Sequence, residues 1–526
     1  MSATAKSRVQ SEIAGPDRAL TSVSLNFDDY VATPEGLLNR PMLGDRMAVR
    51  AVRDAFVGRV SELYAGLGDD YEARTLLQIA LIRWTRLVMQ VAWTTRMLST
   101  VEAQRGRIAP SSRFPFISAV ARGDRPSLDP WLTMLGNGPA RYAKWRWPLR
   151  LLRSTLLTQR VKPRPLPLIS FDRDIVATSV SSLIDWHAEL SGMPVRFVDV
   201  EAWFSPVILS EAKSSVGLAN MCADAAVELV KPSELLANWL REQFQAIERL
   251  IHVHIRRLAE TKSIPRDLWI GSSSSVWDRM LACECIRRGG RAVAHDHGQG
   301  GGLHTDDGIG SFLRGCCSEL VTFDEDHRAW LQKTLPGLGL RTAPLPLVRG
   351  LARSNDQNRP KSIAWRRPSG RRRKALLVPM PLVAENMQLA PYPDDLASLD
   401  FAARVVGTLH SEGFEVTLKP HPKYPFPDSQ WWRGCGNAGV ERAPFERIMK
   451  QYDCAVFCYQ STTTLRAAME TGMPSLLISQ KKGNWLPEAR ANFEERMQVI
   501  DAAADETARL QCNFDGLRCA ISEMMH

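Results

Sequence analysis

Several features that would assign this chain to a familiar class are missing from its sequence. No stretch of about eighteen uncharged apolar residues occurs, so a membrane-spanning helix is not expected. The polar N-terminus has no signal-peptide pattern, and the ten cysteines include no CxxC pair of zinc-site spacing. We therefore expect reduced thiols and a cytoplasmic protein.

Two common nucleotide-binding loops and one nucleophile motif are missing as well. The glycines of HDHGQGGGLH (295–304) fit neither GxGxxG nor GxxxxGK[ST]. The serine run in GSSSSVWDRML has no surrounding GxSxG, so a nucleophilic serine is not expected. Ser272 and Ser273 lie between a predicted strand and a predicted helix, where they are candidates for phosphate or glycan contacts, with a capped helix as the alternative.

Composition and charge describe a globular chain with two unusual segments. The hydrophobic fraction is 44% and the charged fraction 24%, which favours two or three packed domains over disorder. The net charge of +10 is concentrated from Arg141 to Pro165 and from Arg366 to Lys374. Trp145 and Trp147 interleave the first segment, which suits an anionic membrane surface such as the inner face of the cytoplasmic membrane. A solvated face and nucleic-acid binding are the alternatives, nucleic acid being the less favoured partner.

The periodicity changes along the chain and predicts four parts. Residues 1–160 have helical spacing, including an amphipathic stretch (76–98) that carries Arg83, Arg86 and Arg96 and is expected to be buried. Residues 161–350 and 375–526 alternate short apolar strands with helices, which predicts two Rossmann-like α/β domains. Residues 351–374 are polar and basic and read as a linker. The helical part would pack on the first α/β domain, and the two domains would face a cleft.

The predicted strands place polar residues where each strand ends. In the first unit the strands are PLPLISF, MPVRFVDV, DLWIGSSSS, RAVAHDHG and SELVTF, and in the second KALLVPM, EVTLKPHP, DCAVFCY and PSLLIS. A helix ending on Gly289 and Gly290 separates two of the first group. Because strands that alternate with helices form parallel sheets, ligands are expected at their carboxyl ends.

His421 lies between two prolines in KPHP, directly after the strand EVTL. Each proline fixes its own φ and restricts the residue before it, so the ring is held at the end of the strand. Lys419, His421 and Pro422 are therefore candidate ligand contacts. A loop that happens to contain proline is the alternative.

A run of hydroxyls opens the helix after the strand DCAVFCY. Ser461, Thr462 and Thr463 would present hydroxyls beside the free amides of a helix N-terminus, which suits a phosphate, and Gln460 precedes them. Ordinary capping is the alternative. Since KPHP and this run lie at consecutive strand ends of one α/β unit, we expect them to face one pocket.

This combination resembles the C-terminal half of bacterial sialyltransferases, polysialyltransferases and Kdo transferases, which are GT-B glycosyltransferases that use CMP-activated sugars. The resemblance implies that His421, Ser461 and Thr462 contact the CMP phosphate. It also implies a general base in an acidic pair followed by glycine, which here is Asp306 and Asp307 in GLHTDDGIGSF. No cofactor or metal is implied, because the CMP-sugar is a substrate.

The chain is also similar to surface-carbohydrate transferases with a His-Gly and glycine-rich stretch after such a strand. His297, Gly298 and Gln299 are the matching candidates for glycan or phosphate contacts. Glu385, after the strand KALLVPM, is a candidate contact to base or ribose. Metal binding by the histidines of HDHGQGGGLH is disfavoured, since alternation sends His295 and Asp296 to opposite faces.

The sequence thus favours an inverting glycosyltransferase that moves a sugar such as Kdo, sialic acid or another nonulosonic acid from a CMP donor to a cell-surface glycan of capsule or lipopolysaccharide type. A CDP-glycerol or CDP-ribitol phosphotransferase of the teichoic-acid type is one alternative. A noncatalytic protein that binds a membrane surface or nucleic acid is an alternative of another class.

Overall fold

The computed structural model describes residues 49–103, 107–137, 174–179, 181–204, 206–207, 217–271, 275–296, 303, 315–335, 346–351, 372–383, 395–422, 424, 426–434, 437–460, 463–480, 485–505 and 509–525. Within these ranges, helices and parallel strands alternate after an initial group of helices. The helices are α1 (Arg50–Gly66), α2 (Tyr71–Ala103), α3 (Pro115–Ala121), α4 (Pro130–Asn137), α5 (Ser182–Ser191), α6 (Gly217–Val230), α7 (Glu234–Glu260), α8 (Val276–Arg287), α9 (Glu325–Thr334), α10 (Asp395–Ser411), α11 (Ser429–Gly434), α12 (Phe445–Ile448), α13 (Thr463–Thr471), α14 (Pro487–Glu494) and α15 (Phe514–Met525). The strands are β1 (Ile175–Ala177), β2 (Val195–Phe197), β3 (Asp267–Ile270), β4 (Arg291–His295), β5 (Glu319–Thr322), β6 (Leu347–Gly350), β7 (Lys374–Val378), β8 (Glu415–Leu418), β9 (Gly439–Val440), β10 (Cys454–Phe457), β11 (Ser475–Ser479), β12 (Gln498–Ala504) and β13 (Leu510–Cys512).

The N-terminal helices share one hydrophobic core with the first sheet. Helix α2 packs on α7, and the Trp84 ring stacks on Phe244 with centroids 4.9 Å apart. The expected buried helix within 76–98 is confirmed as part of α2, whose 33 residues are apolar on most faces. Arg83 is accommodated there by a bidentate ion pair with the buried Asp129.

The first sheet has the strand order β2-β1-β3-β4-β5-β6, and its described strands pair in parallel. The chain runs outward from β1 to β2 and then returns to the other side of β1 at β3. This reversal lies between β1 and β3, and in open α/β sheets ligands bind at the carboxyl ends of the strands that flank such a point.

The second sheet has the order β13-β12-β11-β10-β7-β8-β9, with only the edge pair of β12 and β13 antiparallel among the described strands. From β7 the chain proceeds to β8 and β9, then returns to the other side of β7 at β10. From β9 to β12 this is the strand order of dinucleotide-binding Rossmann domains, and its reversal lies between β7 and β10.

The α/β fold with two Rossmann-like units, as expected for the GT-B class, is therefore confirmed. The strands predicted from MPVRFVDV, DLWIGSSSS, RAVAHDHG and SELVTF and the four of the second unit are present, while the predicted strand PLPLISF lies outside the described residues. Helix α8 ends as predicted, with Gly289 in the left-handed region at φ 78°. Strands β1, β6, β9, β12 and β13 and the long helices α6 and α7 were not predicted. The boundaries of the four predicted parts stay a prediction.

The two sheet-containing units contact each other through side chains and backbone. The Arg466 guanidinium of α13 lies 4.0 Å from the centroid of the Phe323 ring, and its Nη1 is 3.6 Å from Asp324 Oδ2. Leu486 donates its backbone N–H to the carbonyl of Leu303 at 2.9 Å, and Leu303 is fully buried in the core of the second unit. Helix α13, which begins at the strand reversal of the second sheet, thus touches the first unit.

Among the described residues, no helix combines the length and the apolar content that a membrane crossing requires.

Candidate functional site

The second sheet offers a helix N-terminus at its strand reversal. Strand β10 ends at Phe457 and helix α13 begins at Thr463, six positions later. The first three residues of this interval, Cys458, Tyr459 and Gln460, are buried. A helix start carries free N–H groups and the positive end of the helix dipole, so this location suits an anionic group. The predicted contacts Ser461 and Thr462 lie outside the described residues, and nothing is described of the Thr463 side chain.

His421 follows β8, which one strand separates from β10 in the sheet. Strand β7 lies between β8 and β10, so KPHP and the hydroxyl run, which follow consecutive strands predicted along the chain, do not follow adjacent strands of the sheet. Strand β7 is the first strand of this unit along the chain and lies inside the sheet, so β8 and β10 pair with its two opposite sides. With two strand spacings, the backbones that carry the two features are about 9.5 Å apart.

The ends of these three strands lie level with one another. Lys419 donates its N–H to Leu377 O at 2.7 Å, and Cys458 donates its N–H to Val378 O at 3.0 Å. The pairing therefore continues for one residue beyond β8 and β10 on both sides of β7. His421 consequently leaves the sheet at the same edge as the N-terminus of α13.

The His421 ring is half-buried and lies against an aromatic neighbour. Its centroid is 4.9 Å from that of Tyr424 at an interplanar angle of 42°, and the carbonyl of His421 accepts the N–H of Tyr424 at 3.4 Å. This turn, together with Pro420 and Pro422, restricts where the ring can move. Pro422 itself is exposed.

Lys419 is directed into the protein. It is 5% exposed, and its Nζ donates to the carbonyl of Pro420 at 3.2 Å. Burial lowers the pKa of this amine, while Glu441 and Glu446 act in the opposite direction. In this conformation the amine bonds to the backbone of the KPHP segment. A role for Lys419 in donor binding stays a prediction.

The residues after β10 are held in place from β11. Gln480 donates from Nε2 to the carbonyl of Cys458 at 2.8 Å, and Trp485 donates from Nε1 to Ser479 Oγ at 2.9 Å. Burial raises the pKa of the Cys458 thiol, so this group is neutral. Gln460, a predicted donor contact, is 7% exposed. The edge of the sheet is therefore built from neutral polar groups near a helix start.

The reversal of the first sheet forms a second polar point. Thr178, directly after β1, donates from Oγ1 to Asp278 Oδ1 at 2.6 Å, and Asp278 belongs to the first turn of α8. Burial raises the pKa of Asp278 to about 6. The ends of β1 and β3 come so close that a Cβ on Gly271 would lie 3.2 Å from Ser179.

His295, which the metal hypothesis singled out, belongs to a stack of buried rings. His187 Nδ1 lies 3.0 Å from His295 Nε2, and the other His295 nitrogen bonds to the carbonyl of Ile270 at 3.0 Å. The His187 ring stacks on Trp269 at 4.2 Å. Burial lowers the pKa of His187 to about 4 and that of His295 to about 3, so both rings are neutral at physiological pH. Within the described part of the chain, no group of three His, Cys, Asp or Glu side chains could hold a metal ion.

Many of the candidates predicted from the sequence cannot be placed. The following lie outside the described residues: Asp306, Asp307, Ser461, Thr462, Glu385, His297, Gly298, Gln299, Ser272, Ser273 and the basic segment from Arg141 to Pro165. The general base, part of the phosphate contacts and the membrane hypothesis therefore stay predictions.

Several polar residues at these sheet edges were missed by the reasoning from sequence. Thr178 and Asp278 are separated by 100 positions, so no local pattern pairs them. Asp278 had one usable signal, because it lies three residues after the helix cap Ser275, which accepts its N–H. Arg279 had none, since a single arginine in an amphipathic helix is ordinarily solvated.

The structure defines a protein of two Rossmann-like α/β units, with the Thr178–Asp278 pair at the strand reversal of the first sheet and a helix N-terminus at that of the second. No family model matches the sequence, and no curated protein matches it. Among solved structures, the glycosyltransferase of kitacinnamycin shares 13% identity, with 67% of this chain and 90% of that chain covered and a TM-score of 0.34. A UDP-glucosyltransferase from Polygonum tinctorium capable of glucosylating indoxyl shares 11% identity, with 67% and 89% covered and a TM-score of 0.29. Likenesses of this size carry no argument about activity.

Proposed function

We propose that the protein is an inverting glycosyltransferase that transfers a nonulosonic or ulosonic acid, such as Kdo or sialic acid, from its CMP donor to a cell-surface glycan. One observation carries the donor half of this proposal. The N-terminus of α13 lies at the strand reversal of a Rossmann-ordered sheet, and His421 leaves that sheet at the same edge.

In this proposal the phosphate of CMP binds at the start of α13, near the ring of His421. Two backbones about 9.5 Å apart leave room for a phosphate between them, and in this proposal the His421 ring contacts it from one side and the start of the helix from the other. A protonated or hydrogen-bonding His421 stabilises the charge that develops on the phosphate as the bond to the sugar carbon breaks. Gln460 and Gln480 help to shape the neighbouring edge.

The acceptor half of the proposal rests on the sequence. Asp306 or Asp307 takes the proton of the acceptor hydroxyl while the hydroxyl oxygen attacks the anomeric carbon of the donor sugar. CMP leaves from the opposite side of that carbon. Configuration is then inverted in a single displacement. No cofactor or metal takes part in this scheme, and association with an anionic membrane through the segment from Arg141 to Pro165 would bring the enzyme to its acceptor.

The first test is the choice of nucleotide. CMP should raise the midpoint of thermal unfolding, and each tenfold excess over Kd adds about 1.4 kcal/mol to the stability of the folded state. If CDP-glycerol protects the protein and CMP does not, the donor assignment is wrong and the phosphotransferase alternative takes its place. Protection by neither nucleotide favours the noncatalytic alternative.

The second test is the substitution of His421. We expect His421→Ala to weaken CMP binding by about tenfold or more, since a hydrogen bond to a charged group contributes about 1.5–3 kcal/mol. His410→Ala is the matched control, because that ring belongs to the same unit but bonds to the carbonyl of Phe414 at 2.8 Å. Equal CMP affinity in both variants would remove His421 from the donor site.

A further inference from the structure

Arg279 is a buried cation whose guanidinium is incompletely paired. It lies in the first turn of α8, is 2% exposed, and its Nε and Nη1 have no hydrogen-bond partner. No carboxylate of the described residues forms an ion pair with it. A buried charge without a partner costs several kcal/mol of stability, so an arginine of this kind calls for a ligand or a counter-ion.

Arg86 supplies a second cation from the facing helix α2. Its Nε is likewise buried without a hydrogen-bond partner, whereas Arg83, one turn earlier, is paired with Asp129. Burial and the positive charges of Arg83 and Arg279 lower the pKa of Arg86 to about 10. Helices α2 and α8 pack on each other, so Arg86 and Arg279 lie on contacting helices, and an arginine guanidinium keeps its proton in a protein.

The groups around Arg279 do not neutralise it. The thiols of Cys283 and Cys316 are near enough to affect its pKa. The pKa of Cys316 is raised above its ordinary value by a hydrogen bond with Cys283 and by burial, so that thiol carries no charge. The carboxylate of Asp278 accepts from Thr178. Among the described residues, no carboxylate therefore forms an ion pair with Arg279, although the nearby charge of Asp278 raises its pKa.

The position of the two arginines in the fold indicates where such an anion would come from. Arg279 belongs to the helix that follows β3, at the strand reversal of the first sheet, and the N-terminus of that helix favours negative charge. Tyr424, in the loop that carries His421, contributes to the pKa of Arg86. Arg86 is therefore within electrostatic range of the loop of the candidate donor site.

We propose that Arg86 and Arg279 bind an oxyanion, a carboxylate or phosphate group, at the strand reversal of the first sheet. The identification of this oxyanion as part of the acceptor rests on the proposed function, whereas the anion site itself does not. Guanidinium groups suit this task because their planar N–H donors match the oxygens of carboxylate and phosphate. An acceptor that carries a carboxylate or phosphate group would be selected over a neutral glycan.

The binding test uses His421→Ala as the background, so that phosphate binding at the proposed donor site is weakened. Inorganic phosphate and, separately, acetate are titrated at constant ionic strength while thermal unfolding is followed. We expect Arg279→Met and Arg86→Gln each to lower the affinity for the anion by about tenfold or more. The relative effect of phosphate and acetate tells which oxyanion fits.

The control is Arg287→Gln, on the same helix, where the 40% exposed arginine pairs with the buried Glu284 at 2.6 Å. This variant should keep full anion affinity. A purely structural role is excluded by a second readout: without ligand, Arg279→Met should unfold at the same or a higher temperature than its background, because an unpaired buried charge is removed. Protection by neither anion, unchanged affinity in Arg279→Met, or a lower unfolding temperature for that variant would overturn the proposal. None of these outcomes depends on CMP binding, so they are distinct from failure of the proposed function.

Discussion

The ion pair between Arg113 and Asp395 joins the N-terminal helices to the second sheet unit. Arg113 donates from Nε at 3.2 Å and from Nη2 at 2.6 Å to one carboxylate oxygen of Asp395. The Asp395 side chain is 1% exposed and that of Arg113 is 11% exposed, so solvent screens this pair weakly. We predict that Arg113→Met destabilises the protein strongly.

The magnitude follows from the burial of the carboxylate that remains. Breaking a buried pair by removing one partner costs about 3–5 kcal/mol. Asp395 lies in the first turn of α10, where the helix dipole stabilises a negative charge by about 0.3–1 kcal/mol. We therefore expect a loss of about 2–4 kcal/mol in the free energy of unfolding, measured from urea denaturation followed by tryptophan fluorescence.

A double variant separates the charge from the packing. Arg113→Met with Asp395→Asn should be more stable than Arg113→Met alone, by about 1–2 kcal/mol, because the buried carboxylate that lost its arginine is then neutral. Arg122→Met is the control, since its pair with Asp124 is exposed on both sides at 51% and 58%, and its loss should stay within about 0.5 kcal/mol. A small effect of Arg113→Met, or a double variant less stable than the single one, would refute the reasoning.

Two further predictions concern pH. The pKa values of His187 and His295 are lowered from 6.5 to about 4 and about 3, so the stability that their neutral rings provide is complete above pH 6.5 and is lost as the pH falls toward those values. His187→Phe should flatten the decline of the unfolding midpoint below pH 6.5, and an unchanged decline would contradict the assignment. Glu248 behaves oppositely: burial raises its pKa from 4.5 to about 7, so its contribution is lost as the pH rises through that interval. Glu248→Gln should remove this loss in a pH series of urea midpoints. The native carboxylate accepts the N–H of Ala219 at 2.6 Å, and the amide oxygen of glutamine can accept it as well. If the loss persists in the variant, another group titrates.

Much of the fold could be predicted because the information was local. Strands such as Cys454–Phe457 and Ser475–Ser479 are short apolar runs bounded by turn residues, and a buried parallel strand requires little else. Helix α8 ends on a glycine with positive φ, which L side chains rarely adopt. The three-residue strand Ile175–Ala177 was missed because so short a run has no measurable period.

The candidate site likewise combines residues that local signals identify with a strand order that they do not. His421 and the start of α13 could be identified from prolines, hydroxyls and strand ends, all of which are local signals. The strand order could not be read, because it depends on which side of β7 each later strand joins, and so the one-strand gap between the two features was missed.

By itself, the sequence determined that the chain alternates strands and helices in two units and that polar residues follow the strands, since side-chain period and turn chemistry act over a few residues. Only the tertiary structure decided which distant side chains meet. Arg86 and Arg279 lie on helices that pack on each other, α2 and α8, and His187 reaches His295 because α5 packs on strands of the first sheet. Burial, which leaves two cations short of partners and two histidines neutral, is a property of that packing and has no counterpart in the local sequence.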